Sequence, residues 1–149
     1  MSNFSQRALY EEVILDHNRS PRNFQRHPAG STHHAHGFNP VCGDEFTVHL
    51  RVADGVIQDI GYEGAGCAIS MASTSLMTEA LMGKTVREAE ALFENVHHLL
   101  MRDGQAGEVG KLKVLAGVHD HPTRVKCASL PWHTLRAALK NDRGTVCTE

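Results

Sequence analysis

Four side chains in this sequence can act together as metal or cluster donors: Cys42, Asp44, Cys67 and Cys127. Each thiol sits in a local sequence that a purely structural role does not need. The three are Asn39-Pro40-Val41-Cys42-Gly43-Asp44, Gly64-Ala65-Gly66-Cys67-Ala68-Ile69-Ser70 and Arg124-Val125-Lys126-Cys127-Ala128-Ser129-Leu130. Three thiolates and a carboxylate close a four-coordinate shell around zinc, or hold an iron–sulfur cluster. Cys67 follows Cys42 by 25 positions and Cys127 follows Cys67 by 60. Zinc fingers and ribbons bring their ligands in close pairs, so those folds are excluded. Residue type and spacing leave two readings open, a metal or sulfur site and cysteines buried as small hydrophobes. Asp44 beside Cys42 and the basic residues beside Cys127 weigh toward the first.

The local chemistry assigns each donor a setting. Pro40 fixes the approach to Cys42, Gly43 permits a turn closed to other residues, and Asp44 then points back toward the thiol. Cys67 falls where a glycine-rich turn opens a helix, whose free N–H groups and dipole favour a thiolate. Arg124 and Lys126 are expected to lower the Cys127 pKa in the same sense.

The elements that must bring these donors together follow from periodicity. Ser5 to His17 reads as an amphipathic helix with Leu9, Tyr10, Val13 and Ile14 on its apolar face and Ser5 as a candidate N-cap. Residues 18–30 hold two prolines and read as loop. Alternating segments at Glu45–Ala53 and Val56–Glu63 flank Asp54-Gly55, a strong hairpin signal, and a shorter strand is expected at His33–Phe38. After the Gly64–Gly66 turn, Cys67–Met82 reads as a buried helix ended by Gly83. Thr85 and Glu88 form a capping box for a helix to about Met101. A glycine-rich loop at 103–110, a short helix at Glu108–Gly117 and a final helix at Leu130–Lys140 complete the chain. Pro131 is expected to keep that helix from running back through Cys127. The tail after Asn141 reads as polar and mobile. The prediction is one α+β domain over residues 1–149, a small antiparallel sheet of about three strands with helices packed on it.

Composition narrows the function classes. The chain of 149 residues is long enough to bury a core, and 15 basic against 17 acidic residues give no basic field for nucleic acid. No Lys/Arg run suggests an anionic membrane surface, and no apolar stretch approaches the roughly 20 residues of a bilayer span. No secretory signal is read at the start, so a cytoplasmic protein is expected. In that reducing setting four cysteines read as ligands or reactive thiols rather than disulfides.

At the cysteine motifs the chain resembles the IscU/NifU-N-terminal family of iron–sulfur cluster assembly proteins. The likeness runs from about residue 9 to residue 139. It includes Leu9-Tyr10, Ile14-Leu15-Asp16-His17 and Ser20-Pro21-Arg22-Asn23, then the three cysteine motifs in order. Within the family it is more similar to the SufU branch. The interval before Cys127 is longer than in IscU scaffolds, and Lys126 stands where those carry a histidine. His119-Asp120-His121-Pro122-Thr123 replaces their proline-rich chaperone-recognition stretch.

The resemblance implies an α+β fold of the SufE/NifU type, with Cys42, Asp44, Cys67 and Cys127 as ligands of Zn2+. It implies that the chain accepts persulfide sulfur from a SufS-type cysteine desulfurase and serves downstream iron–sulfur assembly proteins. Cys42, on a turn, is the expected sulfur acceptor. The alternatives are an IscU-type scaffold holding a [2Fe–2S] cluster or iron on the same residues, and a structural zinc domain without transfer chemistry.

Other conspicuous residues receive plainer readings. His33, His34 and His36 read as exposed histidines, although alternation puts His34 and His36 on one side of a strand where a second metal could bind. His119 and His121 read as a solvated loop, Asp16 and His17 as helix-end charges, and Cys147 as an exposed thiol. Leu76, Leu81, Val86, Ala89, Leu92 and Phe93 read as packing surface, and Trp132 as core.

Overall fold

The structure is a computed structural model that describes residues 3–101, 104, 106–140 and 145–147. Helix α1 (Asn3–Arg19) leads through a loop to strands β1 (His33–Asn39), β2 (Asp44–Ala53) and β3 (Val56–Ala65). Helices α2 (Ala68–Leu81) and α3 (Val86–Met101), a 3₁₀ segment (Gly110–Asp120), helix α4 (Pro122–Leu139) and strand β4 (Thr145–Cys147) follow.

The sheet order is β3-β2-β1-β4. The first three strands pair antiparallel, as alternation and the Asp54-Gly55 turn predict; both turn residues have positive φ, 54° and 73°. The fourth strand corrects the expected three. It runs parallel to β1, opposite residues 36–38, and tucks the partly buried Val146 against the core. Three residues are too few to carry an alternation signal, which is why the tail reads as unstructured.

One face of the sheet is apolar. Phe46, Val48, Leu50, Ile60 and Tyr62 point from it into a core closed by α2 and α4. The expected packing surface on α2 and α3 is there: Leu76, Leu81, Ala89 and Phe93 are buried, while Leu92 is partly so. The capping box also forms, with the Thr85 N–H donating to Glu88 Oε1 and the Glu88 N–H to Thr85 Oγ1, each at 3.0 Å. On α1, Tyr10, Val13 and Ile14 pack on the core, but Leu9 stays 55% exposed. The side chain of Ser5 lies outside the described residues.

Two further expectations are corrected. Helix α4 begins at Pro122, so Cys127 lies inside it and Pro131 does not mark its start. Proline in a helix interior removes one N–H and crowds the carbonyl four residues back. Packing holds the helix through this point: Ser73 Oγ on α2 donates to the Ala128 carbonyl at 2.6 Å and accepts from Trp132 Nε1 at 3.2 Å. Trp132 is thereby fixed in the core. His17 is not a helix-end charge but fully buried, with Nδ1 2.6 Å from Ser75 Oγ. Burial holds its pKa below the ordinary histidine value. Asp16 pairs with Arg22 at 2.8 Å. No helix among the described residues is long and apolar enough to cross a membrane.

Candidate metal centre

The turn between β1 and β2, the start of α2 and the first half of α4 meet at one end of the sheet. Asn39 builds the turn. Its backbone carbonyl accepts from the Gly43 N–H at 2.8 Å, and its Oδ1 accepts from the Val41 N–H at 3.1 Å. Gly43, with φ of 74°, lets the chain reverse there without strain. This leaves Cys42 exposed at the tip and Asp44 buried as the first residue of β2.

Cys67 is the N-cap of α2. Its thiol accepts from the Ser70 N–H at 3.5 Å, and its own N–H donates to Asp44 Oδ1 at 2.8 Å. Gly66 makes room for that contact, since a Cβ there would stand 2.8 Å from Asp44 Oδ1. The helix start and the turn are therefore joined through the Asp44 carboxylate.

Cys127 comes from the opposite side and is buried within α4. Its Sγ lies 3.2 Å from Cys42 Sγ. Donor atoms of Cys42, Asp44 and Cys127 all fall within 4.8 Å of one another. Cys67 stands outside this tightest trio, but its thiol is one of the groups acting on Cys127. The fold thus brings Cys42, Asp44 and Cys127 together, with Cys67 at the adjoining helix start and bonded to Asp44 through its N–H.

Electrostatics at Cys127 reverse the expectation. Burial pushes its thiol pKa up, and the adjoining Asp44, Cys42 and Cys67 push it further the same way. Arg124 is exposed and Lys126 half-buried, so their charges are solvated and do not offset this. A buried thiol beside a carboxylate and two further thiols calls for a cation to become a thiolate. Three sulfurs and one carboxylate fit zinc, and the sulfurs equally suit an iron–sulfur cluster.

Asn39 is a residue of this centre that periodicity and donor type did not single out. It is fully buried, and Nδ2 lies 3.5 Å from Asp44 Oδ2 and 3.6 Å from Cys127 Sγ. The Asn-Pro pair before Cys42 was the available signal, since asparagine side chains bond the backbone two residues on. Of the histidines weighed near the centre, His121 is exposed at the start of α4 and is not in the donor group found among the described residues. The side chain of His119 lies outside the described residues. Cys147 is exposed on β4.

Comparison with known proteins agrees with the motifs. The family model of the NifU-like N terminal domain matches residues 9–146. The iron–sulfur cluster assembly scaffold protein IscU of Thermotoga maritima is 41% identical over 137 residues, covering 90% of this chain and 94% of that protein. The zinc-dependent sulfurtransferase SufU of Bacillus subtilis is 32% identical over 139 residues, covering 92% and 93% respectively. The crystal structure of a NifU-like N-terminal protein from Brucella abortus superposes with a TM-score of 0.81 at 25% identity, over 89% of this chain and 92% of that one. With these likenesses along nearly its whole length, the chain belongs to the NifU-N-terminal family of iron–sulfur cluster assembly proteins.

Proposed function

We propose that Cys42, Asp44, Cys67 and Cys127 hold one zinc ion, and that the chain is a sulfur acceptor for iron–sulfur cluster assembly in the cytoplasm. Its donor is the persulfide of a SufS-type cysteine desulfurase, and its recipients are downstream assembly proteins. The observation that carries this reading is the unequal exposure of two thiols 3.2 Å apart, Cys42 at the surface and Cys127 buried. A relative named a zinc-dependent sulfurtransferase, 32% identical over 92% of this chain, supports the same reading.

Zinc, when bound, keeps its thiolates deprotonated at neutral pH without redox chemistry of its own. The Cys42 thiolate attacks the outer sulfur of the donor persulfide. A new S–S bond forms at Cys42, the donor's S–S bond breaks, and the donor cysteine leaves as a thiolate. No electron is gained or lost overall. Asp44 and Cys67, tied through the Cys67 N–H, keep the helix start in place while Cys42 reacts.

The test is sulfur transfer from a cysteine desulfurase, read by mass spectrometry of the intact chain. Cys42→Ala should accept no sulfur while keeping its circular dichroism. Transfer at the parent level would remove Cys42 from the role. The second reading, a scaffold for a [2Fe–2S] cluster, is favoured by the relative named a scaffold at 41% identity over 90% of this chain. Protein purified without oxygen that carries stoichiometric iron and sulfide, with little zinc, would establish that reading instead.

A further inference from the structure

Asn39 is the last residue of β1 and is fully buried. A buried side-chain amide needs partners at both ends, acceptors for its Nδ2 donors and a donor for its Oδ1. Oδ1 takes the Val41 N–H at 3.1 Å. A backbone N–H can only donate, so this contact fixes which end of the amide faces the turn. Nδ2 therefore faces inward. The acceptors it meets there are Asp44 Oδ2 at 3.5 Å and Cys127 Sγ at 3.6 Å. Both belong to the candidate donor group, and they stand 5 and 88 positions away along the chain.

The turn alone does not call for asparagine. Aspartate and serine bond the backbone two residues on in the same way. Neither carries an amide, and an ionised aspartate would set a further carboxylate against Asp44. What asparagine adds is a pair of N–H donors directed at two buried groups that are negative when they hold a cation. The Asp44 carboxylate is consequently held at both oxygens, Oδ1 by the Cys67 N–H at 2.8 Å and Oδ2 by Asn39. Cys127 is 1% exposed, so N–H donation to its sulfur stands in for the hydration that burial removes.

We propose that Asn39 is the positioning residue of this centre, its amide orienting Asp44 and Cys127 toward a shared cation while it shapes the turn that presents Cys42. The role rests on these donors forming a metal centre, as proposed above, and extends it to a residue that is not itself a ligand. One end of the side chain holds the turn a single residue before Cys42, and the other holds the two donors behind it. The exposed and the buried thiol are thereby kept in register.

The test is the zinc affinity of the full chain, read by competition with a chromophoric chelator. In Asn39→Ser a hydroxyl can still accept from the Val41 N–H, but the amide donors are gone. Affinity should fall roughly 10–100-fold, the usual cost of removing a hydrogen-bonding partner from a metal ligand. Asn39→Asp keeps the shape and the acceptor while turning the donors into a carboxylate, and should lose at least as much. Co2+ loaded in place of zinc supplies a readout that a merely structural role does not move. Its thiolate-to-metal charge-transfer band should shift in Asn39→Ser, because the N–H donor to Cys127 is absent. Parent-like affinity in either variant, or a weakened Asn39→Ser that keeps the parent's cobalt band, would confine Asn39 to the turn and overturn the proposal. A parent chain that holds no zinc would overturn the reading of the centre as well, so the two failures are told apart by the parent's own affinity.

Discussion

The two thiols that nearly touch at the candidate centre are held in opposite ways. Cys42 rides on a turn that Asn39 and Gly43 shape, next to Val41, which is 63% exposed. Cys127 sits 1% exposed in α4, braced from α2 by the Ser73 bonds to Ala128 and Trp132. A donor that must meet a partner needs access, whereas one that keeps the site assembled needs fixity. The molecule separates these demands between a turn and a packed helix. Asp44 ties the turn to a third element, being bonded to the start of α2 yet only two residues from Cys42.

The sharpest way to break this contrast is to loosen the fixed side. Trp132→Ala should cost about 3–5 kcal/mol of stability, as removal of a buried aromatic does, and urea denaturation reads it directly. Ser73→Ala is smaller but more pointed. It leaves the buried Trp132 indole N–H without its acceptor, at about 1–3 kcal/mol, and the same denaturation curve checks it. On the exposed side Val41→Ala should shift stability by less than about 0.5 kcal/mol, because the side chain is 63% exposed. If Val41→Ala destabilised as much as Ser73→Ala, the turn would be structural and the contrast would fail. The smallest expected effect is that of His121→Ala, which should leave zinc affinity unchanged within a few-fold in a chelator competition. A loss of roughly 10–100-fold would make that histidine a partner to one of the ligands.

Much of this was legible because its causes are local. Asp54-Gly55 and the Thr85/Glu88 box are decided by a few adjacent residues, and both form as read. The start of α2 was equally readable, with Cys67 as N-cap after its glycines. Distance along the chain is what hid the rest. Ser75 lies 58 residues from His17, so nothing near that histidine announced its burial. Local preference ends a helix at Pro131, whereas a hydroxyl 55 residues from the Ala128 carbonyl supports the helix there. The raised thiol pKa of Cys127 has the same origin. Arg124 is exposed and Lys126 half-buried, while Asp44, Cys42 and Cys67 beside it arrive from remote segments. The candidate donors are visible from residue type and motif, but the division between a buried and an exposed thiol needs the fold.

Strand β4 has a consequence for how this protein keeps to itself. β1 would otherwise end the sheet, offering a row of unpaired N–H and C=O groups of the kind that recruits a strand from another molecule. Residues 145–147 occupy that margin opposite His36, Gly37 and Phe38. Three residues are enough to blunt it over the middle of β1. The short closing strand therefore works as a guard against edge-to-edge aggregation, a service to solubility rather than to chemistry.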